Sequence, residues 1–374
     1  MQYYVTLTSN CNLKCRYCYE KCCNDFGVDL GALKIDYSIP SSIGYDLTEL
    51  ERFCGKDPDP TIVFYGGEPL LRIDLLEKII RKVPANKLIL QTNGILLNKL
   101  KAEYLNKLDT VLVSIDGGKE LTDYYRGKGV YGQVIKEVEL LRERGFAGEV
   151  IARMTVGRET KIDREVWSLL LDVGLFNSVH WQLDALFWHS DYDKEGFLRW
   201  ARDDYNPGVR GLIDKWVRYM KAQGKVLRIY PLVGVTQSLL LNEPTKLRCG
   251  AGWTMFNIQT DGNITPCPVM AGLKDFYLGN IRYTDPSDLV SRAVFVSEPC
   301  TNCDVYPICG GRCLYANATK LWGGEGFQLV CTTVHNLIEA LKEAIPTIEH
   351  LISERRILPQ DFCYPKYNSC EIMP

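Results

Sequence analysis

Three cysteines crowd one short stretch near the N-terminus, Cys11-Asn12-Leu13-Lys14-Cys15-Arg16-Tyr17-Cys18. A Cys-x3-Cys-x2-Cys spacing puts three thiolates on one loop. They can hold three corners of an iron–sulfur cube and leave the fourth iron open to another ligand. A structural zinc knuckle is the rival reading; it needs a fourth ligand, and Cys22 or Cys23 stands close by. A second array begins at Cys249 and Cys267, continues as Cys300-x2-Cys303-x5-Cys309-x3-Cys313 and closes at Cys331. Fifteen cysteines against four histidines favour all-thiolate chemistry over a mixed Cys/His zinc array. A chain of 374 residues whose first residues, Met1 to Leu7, lack a basic start and apolar run is not a small secreted disulfide scaffold. A reducing, cytoplasmic setting is therefore expected.

The elements that must position these loops follow from the apolar pattern. Candidate buried strands are Tyr3–Thr8, Thr61–Tyr65, Lys87–Gln91, Thr110–Ile115, Val150–Val156 and Val179–Leu183. Helical patterns alternate with them at Leu47–Phe53, Ile73–Val83, Leu97–Leu108, Gly132–Arg144, Asp163–Val173 and Gly208–Ala222. Such alternation predicts an α/β fold with parallel strands and right-handed crossovers, either a partial (β/α)6 barrel of the TIM type or an open sheet. Beyond about residue 230 the texture changes. Gln259-Thr260-Asp261-Gly262-Asn263 predicts a hairpin turn, and a helix is expected from Cys331 to about Leu351. The expected division is 1–230 for the partial barrel, 231–335 for a small cysteine-rich domain, and 336–374 for a C-terminal helix and irregular tail. The net charge of −2 favours neither nucleic acid nor an anionic membrane, and no apolar run approaches the ~20 residues of a membrane span.

The first motif, with Tyr17 inside it and at the end of the first strand, resembles that of the radical S-adenosylmethionine (SAM) superfamily. Further segments fall into register with that family. Gly66-Gly67-Glu68-Pro69 after the second strand resembles its Gly-Gly-Glu-Pro element, which binds the SAM amino group. The residue types agree: two glycines allow a close backbone approach, and Glu68 offers an acceptor to an ammonium. Thr92-Asn93-Gly94 and Val113-Ser114-Ile115-Asp116-Gly117 look like the family segments after the third and fourth strands. Asn93, Ser114 and Asp116 are thereby candidate SAM contacts, and Arg153 on the fifth strand is a further one, with Arg126 as its competitor. The resemblance implies that Cys11, Cys15 and Cys18 hold a [4Fe–4S] cluster whose open iron is chelated by SAM. An electron then splits the sulfonium and yields a 5′-deoxyadenosyl radical.

The second array, including the Gly262-x4-Cys267 element, is similar to the SPASM domain of many radical SAM enzymes. That resemblance implies two auxiliary [4Fe–4S] clusters, three clusters in all. Cys300, Cys303, Cys309 and Cys331 would close one of them, and Cys249, Cys267 and Cys313 would hold the other. A further cysteine expected shortly after Cys249 is missing, so that cluster is either open or completed from Cys363, Cys370, Cys54, Cys22 or Cys23. A second departure concerns relatives that mature sulfatases, which carry an aspartate base directly after the cysteine matching Cys267. Here Pro268 and Val269 follow, which argues against formylglycine formation unless Asp184, Asp191 or Asp193 substitutes.

The implied function is radical modification of a peptide or protein side chain, with an external electron donor of the flavodoxin or ferredoxin type. Radical chemistry on a small molecule in cofactor biosynthesis, and an iron–sulfur electron carrier without SAM turnover, are the alternatives. The aromatic, acidic stretch from Trp181 to Trp200 is either a substrate groove or a packed helix and loop. His180 and His189 read better as structural histidines than as acid–base groups. Replacing Cys15 by alanine should abolish 5′-deoxyadenosine formation by the reduced protein, measured by chromatography; retained turnover would remove the radical cluster from this loop.

Overall fold

The computed structural model describes residues 1–18, 33–184, 193–368 and 373–374. Cys22, Cys23, Phe187, Trp188, His189, Asp191, Tyr192 and Cys370 lie outside the described residues. The six strands come where the apolar runs place them: β1 Gln2–Thr8, β2 Thr61–Gly66, β3 Lys87–Thr92, β4 Thr110–Ser114, β5 Glu149–Val156 and β6 Ser178–Leu183. Three short strands follow, β7 Met255–Ile258, β8 Asn263–Thr265 and β9 Gly279–Asn280. The chain forms two compact units. One comprises Met1–Ile115, Thr122–Ile151 and Gly250–Phe295; the other comprises Asp116–Leu121, Ala152–Cys249 and Val296–Pro374.

In the first unit the strand order is β4-β3-β2-β1-β7-β8-β9. β1 runs parallel to β2 and β7, β2 to β3, and β3 to β4, while β7, β8 and β9 pair antiparallel. Tyr3, Val5, Leu7, Ile62, Val63 and Phe64 are wholly buried. Their near-continuous apolar runs are what a parallel strand covered on both faces requires. Asp46 caps the helix Leu47–Cys54 by accepting from the Thr48 amide. The turn at Gly262 takes φ +87°, a left-handed conformation that suits glycine and explains its place five residues before Cys267.

Two elements differ from the sequence reading. The helix expected over Leu97–Leu108 is a 3-10 turn, Leu97–Lys99, and a short helix, Ala102–Leu105. The Glu137 carboxylate accepts from both the backbone N–H and the side-chain amide of Asn98, which holds the chain out of a continuous helix. The segment Gly250–Phe295, read as part of the cysteine-rich stretch, belongs to the first unit. There β7 occupies the edge of β1, where Thr6 donates to the buried Asn257 amide oxygen at 2.9 Å.

In the second unit a 31-residue helix, Gly323–Ser353, packs on Asn206–Gln223 and Tyr230–Leu241. It begins a little over two turns before Cys331 because Phe327 and Val330 are also buried. Tyr230–Leu241 was missed because it is apolar on nearly every side and shows no helical stripe. The described part of the tail docks as ordinary packing. Phe362 is fully buried, edge-on to Trp216 at 6.0 Å, and Tyr364 lies against Tyr230 at 5.2 Å. Phe362→Ala should cost about 3–5 kcal/mol of stability in denaturant unfolding, whereas Cys363→Ser at the exposed neighbouring position should leave the midpoint nearly unchanged.

Candidate functional site

The loop that carries Cys11, Cys15 and Cys18 leaves the C-terminal end of β1, and the Gly66–Pro69 segment leaves that of β2. The two are held together by backbone. Gly67 N donates to Thr8 O and Glu68 N to Asn10 O, each at 2.8 Å. A Cβ on Gly66 would lie 2.2 Å from Thr8 O, and one on Gly67 would lie 2.4 Å from both Ser9 O and Asn10 O. These glycines therefore allow the β1 and β2 ends to touch, a close approach within the protein itself.

Glu68 is wholly buried and joins a third strand end to the other two. One carboxylate oxygen accepts from Leu70 N at 2.9 Å and Thr92 Oγ1 at 2.8 Å, and the other accepts from Asn93 N at 2.7 Å. Of the roughly four acceptor positions on a carboxylate, one remains. Burial pushes the Glu68 carboxyl up to about 7, against the pull of the three hydrogen bonds. Pro69 follows at the start of a 3-10 turn that Glu68 caps.

Asn93 carries this network to the cysteines. Its side-chain amide donates to Asn12 Oδ1 at 2.7 Å and lies 3.8 Å from Cys11 Sγ. Leu13 N donates to Cys11 Sγ at 3.4 Å. Cys11 is exposed as a residue, yet its thiol is pushed up to about 11. Desolvation around the sulfur is the main cause, with repulsion from Glu68, Cys15 and Cys18 added to it. Cys18 N donates to Cys15 O at 3.1 Å, and Arg16 N to Tyr125 O at 2.8 Å. Tyr17 is fixed by Tyr125 at 5.4 Å and by the buried Arg126, whose guanidinium lies 5.5 Å from its ring centre. Three thiols within electrostatic reach, with amide donors aimed at one sulfur, suit a cation that draws off their protons.

Ser114 ends β4 and is half-buried. Asp116 and Arg153 belong to the second unit. The buried Asp116 accepts from Thr155 N at 3.0 Å. Arg153 donates to Gln182 Oε1 at 3.0 Å and lies 3.4 Å from His180 Nδ1, so the fully buried His180 sits beside a guanidinium. Trp181, Phe197 and Trp200 are core residues; Trp181 donates to the Tyr205 hydroxyl at 2.9 Å. Their aromatic pattern reflects packing.

The second unit also gathers Cys300, Cys303, Cys309 and Cys331. Burial is the main cause that pushes the Cys331 thiol up to about 12; the Arg312 charge opposes it, and the neighbouring Cys300, Cys309 and Cys303 each add a smaller push upward. Arg312 N donates to Cys309 Sγ at 3.2 Å and Asn317 Nδ2 to Cys300 Sγ at 3.5 Å. A cavity of ≈ 450 Å³ opens on Cys300, Cys303 and Cys331. Three thiols open on one space, Cys309 lies within electrostatic reach of them, and Cys300 and Cys309 carry donors on their sulfurs, an arrangement that fits a cluster. Cys249 and Cys313 lie in the same unit and Cys267 in the other. Cys313 caps the helix Leu314–Thr319 through its sulfur, and Cys267 precedes the 3-10 turn Pro268–Met270. Among the candidates for completing that set, Cys54 is a core residue pushed up to about 12 by burial, and the exposed Cys363 accepts from Gln237 at 3.7 Å.

Residues 5–170 match the profile described as the radical SAM superfamily. These residues form a radical SAM domain, and the chain is an enzyme. A cysteine-type anaerobic sulfatase-maturating enzyme of Clostridium novyi (strain NT) is 24% identical to it over 358 residues, 89% of this chain and 92% of that relative. The solved structure of native anSMEcpe with bound AdoMet and Cp18Cys peptide is 19% identical. It covers 94% of this chain and 99% of its own at a TM-score of 0.70. Streptococcus suis SuiB bound to precursor peptide SuiA is 18% identical over 85% of this chain and 72% of its own, at a TM-score of 0.54. The likenesses to solved structures establish a partial-barrel α/β fold with a helical C-terminal region. The family's cofactors are SAM and a [4Fe–4S] cluster.

If the remaining acceptor position of Glu68 receives the SAM ammonium, as the resemblance implies, its titration makes SAM binding depend on pH. The carboxyl is ionised above about 7, and protonation sets a donor against three donors. SAM affinity of the reconstituted enzyme should fall about tenfold from pH 8 to pH 6 in calorimetry, one decade being the change in the ionised fraction across a pKa of 7. A flat profile would exclude Glu68 as the controlling group.

Proposed function

We propose that this chain works as a radical SAM enzyme that abstracts a hydrogen atom from a peptide or protein side chain and completes the modification with the help of two auxiliary clusters. Cys11, Cys15 and Cys18 hold the catalytic cluster. Gly66, Gly67, Glu68, Pro69, Asn93, Ser114, Asp116, Arg153 and Tyr17 form the surroundings of SAM. Cys300, Cys303, Cys309 and Cys331 hold one auxiliary cluster, and Cys249, Cys267 and Cys313 contribute to the other. With SAM bound, the catalytic cluster supplies the electron that generates the 5′-deoxyadenosyl radical. The chain's own residues place the three thiols on a rigid loop, present Glu68 as a buried charge, and leave one iron without a protein ligand.

The observation that carries the peptide reading is the extent of the similarity. The sulfatase-maturating relative aligns over 89% of this chain and 92% of its own length. Two of the solved structures that share the fold hold peptides. An electron donor of the flavodoxin or ferredoxin type, and a cytoplasmic setting, complete the reading; among the described residues no helix is long and apolar enough to cross a membrane.

The modification differs from formylglycine formation. Pro268 and Val269 follow Cys267. Asp193 is engaged elsewhere: it caps the helix Lys194–Trp200 and pairs with Arg158 at 2.8 Å, and these bonds hold its carboxyl below the usual range, which makes it a weak base. Incubating the reduced, reconstituted enzyme with SAM and a library of short peptides should raise 5′-deoxyadenosine release and give a peptide lighter by hydrogen or cross-linked within itself, by mass spectrometry. Stimulation by small metabolites but by no peptide would reject the substrate class. Conversion of a cysteine to an aldehyde would reject the exclusion of formylglycine.

A further inference from the structure

We infer that His335 sets the electron affinity of the auxiliary cluster on Cys300, Cys303, Cys309 and Cys331, by donating a hydrogen bond from its imidazole to the Cys303 sulfur. This rests on the ligand reading proposed above for those four cysteines. His335 Nε2 lies 3.6 Å from Cys303 Sγ. The contact is built by the long helix Gly323–Ser353, in which Cys331 and His335 are four residues apart and so share one face, one turn from each other. Both line the cavity that opens on Cys300 and Cys303.

The chemistry of the ligand fixes the direction of the bond. A cysteine bound to iron is a thiolate and can only accept, so the Nε2 that faces it must carry the proton. In the thiol form Cys303 instead points its proton at Asp304 Oδ1, 3.6 Å away. That oxygen also accepts from Val305 N at 3.0 Å. When the sulfur loses its proton, Asp304 keeps its amide partner and His335 becomes the donor that compensates the new charge. Reduction adds one electron, and the extra negative charge spreads over iron and sulfur. A donor on a ligand sulfur stabilises the reduced form more than the oxidised one, which raises the potential.

A different role is open to the same atoms. Ligand atoms of Cys303, Asp304 and His335 all lie within 4.8 Å of one another, a set that could hold a single cation. It would compete with the cluster for the Cys303 sulfur, and so it is an outcome to be tested.

The test uses the full-length protein, reconstituted anaerobically, with iron counted and each cluster titrated by EPR-monitored potentiometry. Cys331→Ala identifies the signal: iron and one reducible signal should be lost together. Undiminished iron in that variant would overturn the ligand set and the inference with it. With the signal assigned, His335→Leu should keep full iron but lower the reduced-to-oxidised ratio of that cluster about tenfold at fixed potential, about 59 mV for a one-electron couple. His335→Gln retains an N–H donor and should restore most of the shift, and the N-terminal cluster should not move. An unchanged potential in His335→Leu overturns the inference alone. Loss of the cluster's iron in both His335 variants makes His335 a ligand and overturns it too, as does one zinc in place of the cluster's iron in the unmodified protein.

Discussion

A buried carboxylate ties three strand ends together, and the geometry of the site depends on it. Glu68 accepts from the backbone at Leu70 and Asn93 and from the Thr92 hydroxyl, while its own amide donates to the loop after β1. Charge-assisted hydrogen bonds of this kind contribute about 1.5–3 kcal/mol each when their partners are present. Removing the acceptor would strand three donors around a buried position. The cysteine loop is thus anchored to the sheet by groups that are not metal ligands. Asn93 passes the constraint to Asn12 and Cys11. A cluster that keeps one iron open needs such a scaffold, because three thiolates on a loose loop would invite a fourth.

Much of this was legible in the chain. The first six strands lie within a residue or two of the apolar runs, since a strand buried on both faces must be apolar throughout its length. The motifs at the ends of β1, β2 and β3 also come together, because parallel strands joined by crossovers bring all their C-terminal loops to one edge. What the glycines do was read only in part. Gly66 and Gly67 were expected to clear space for a ligand, and they clear space first for the backbone of residues 8 to 10. No sequence pattern distinguishes those two uses.

Other features depend on long-range partners and left no local trace. The seat of β7 beside β1 depends on a free sheet edge some 250 residues away in the chain. Asn98 looked like an ordinary helix residue, and the Glu137 side chain that takes its amide is remote. For the aromatics Trp181, Phe197 and Trp200 the sequence left a groove lining and a packed helix and loop both open, and they fill the core, where large rings bury the most area. His335 carried one signal that could have been used: its i, i+4 spacing from Cys331 on a helical pattern. Lone histidines are usually structural, and only the loop bearing Cys303 shows what this one faces.

On the function proposed above, the protein leaves one iron of the N-terminal cluster bare for a sulfonium ligand. The most direct measurement is electron–nuclear double resonance on the reduced enzyme mixed with SAM labelled with ¹⁵N at its amino group. Strong hyperfine coupling between that nitrogen and the cluster is predicted. A cluster spectrum that shows no coupling to the labelled nitrogen, or coupling to a fourth protein ligand in its place, would contradict it.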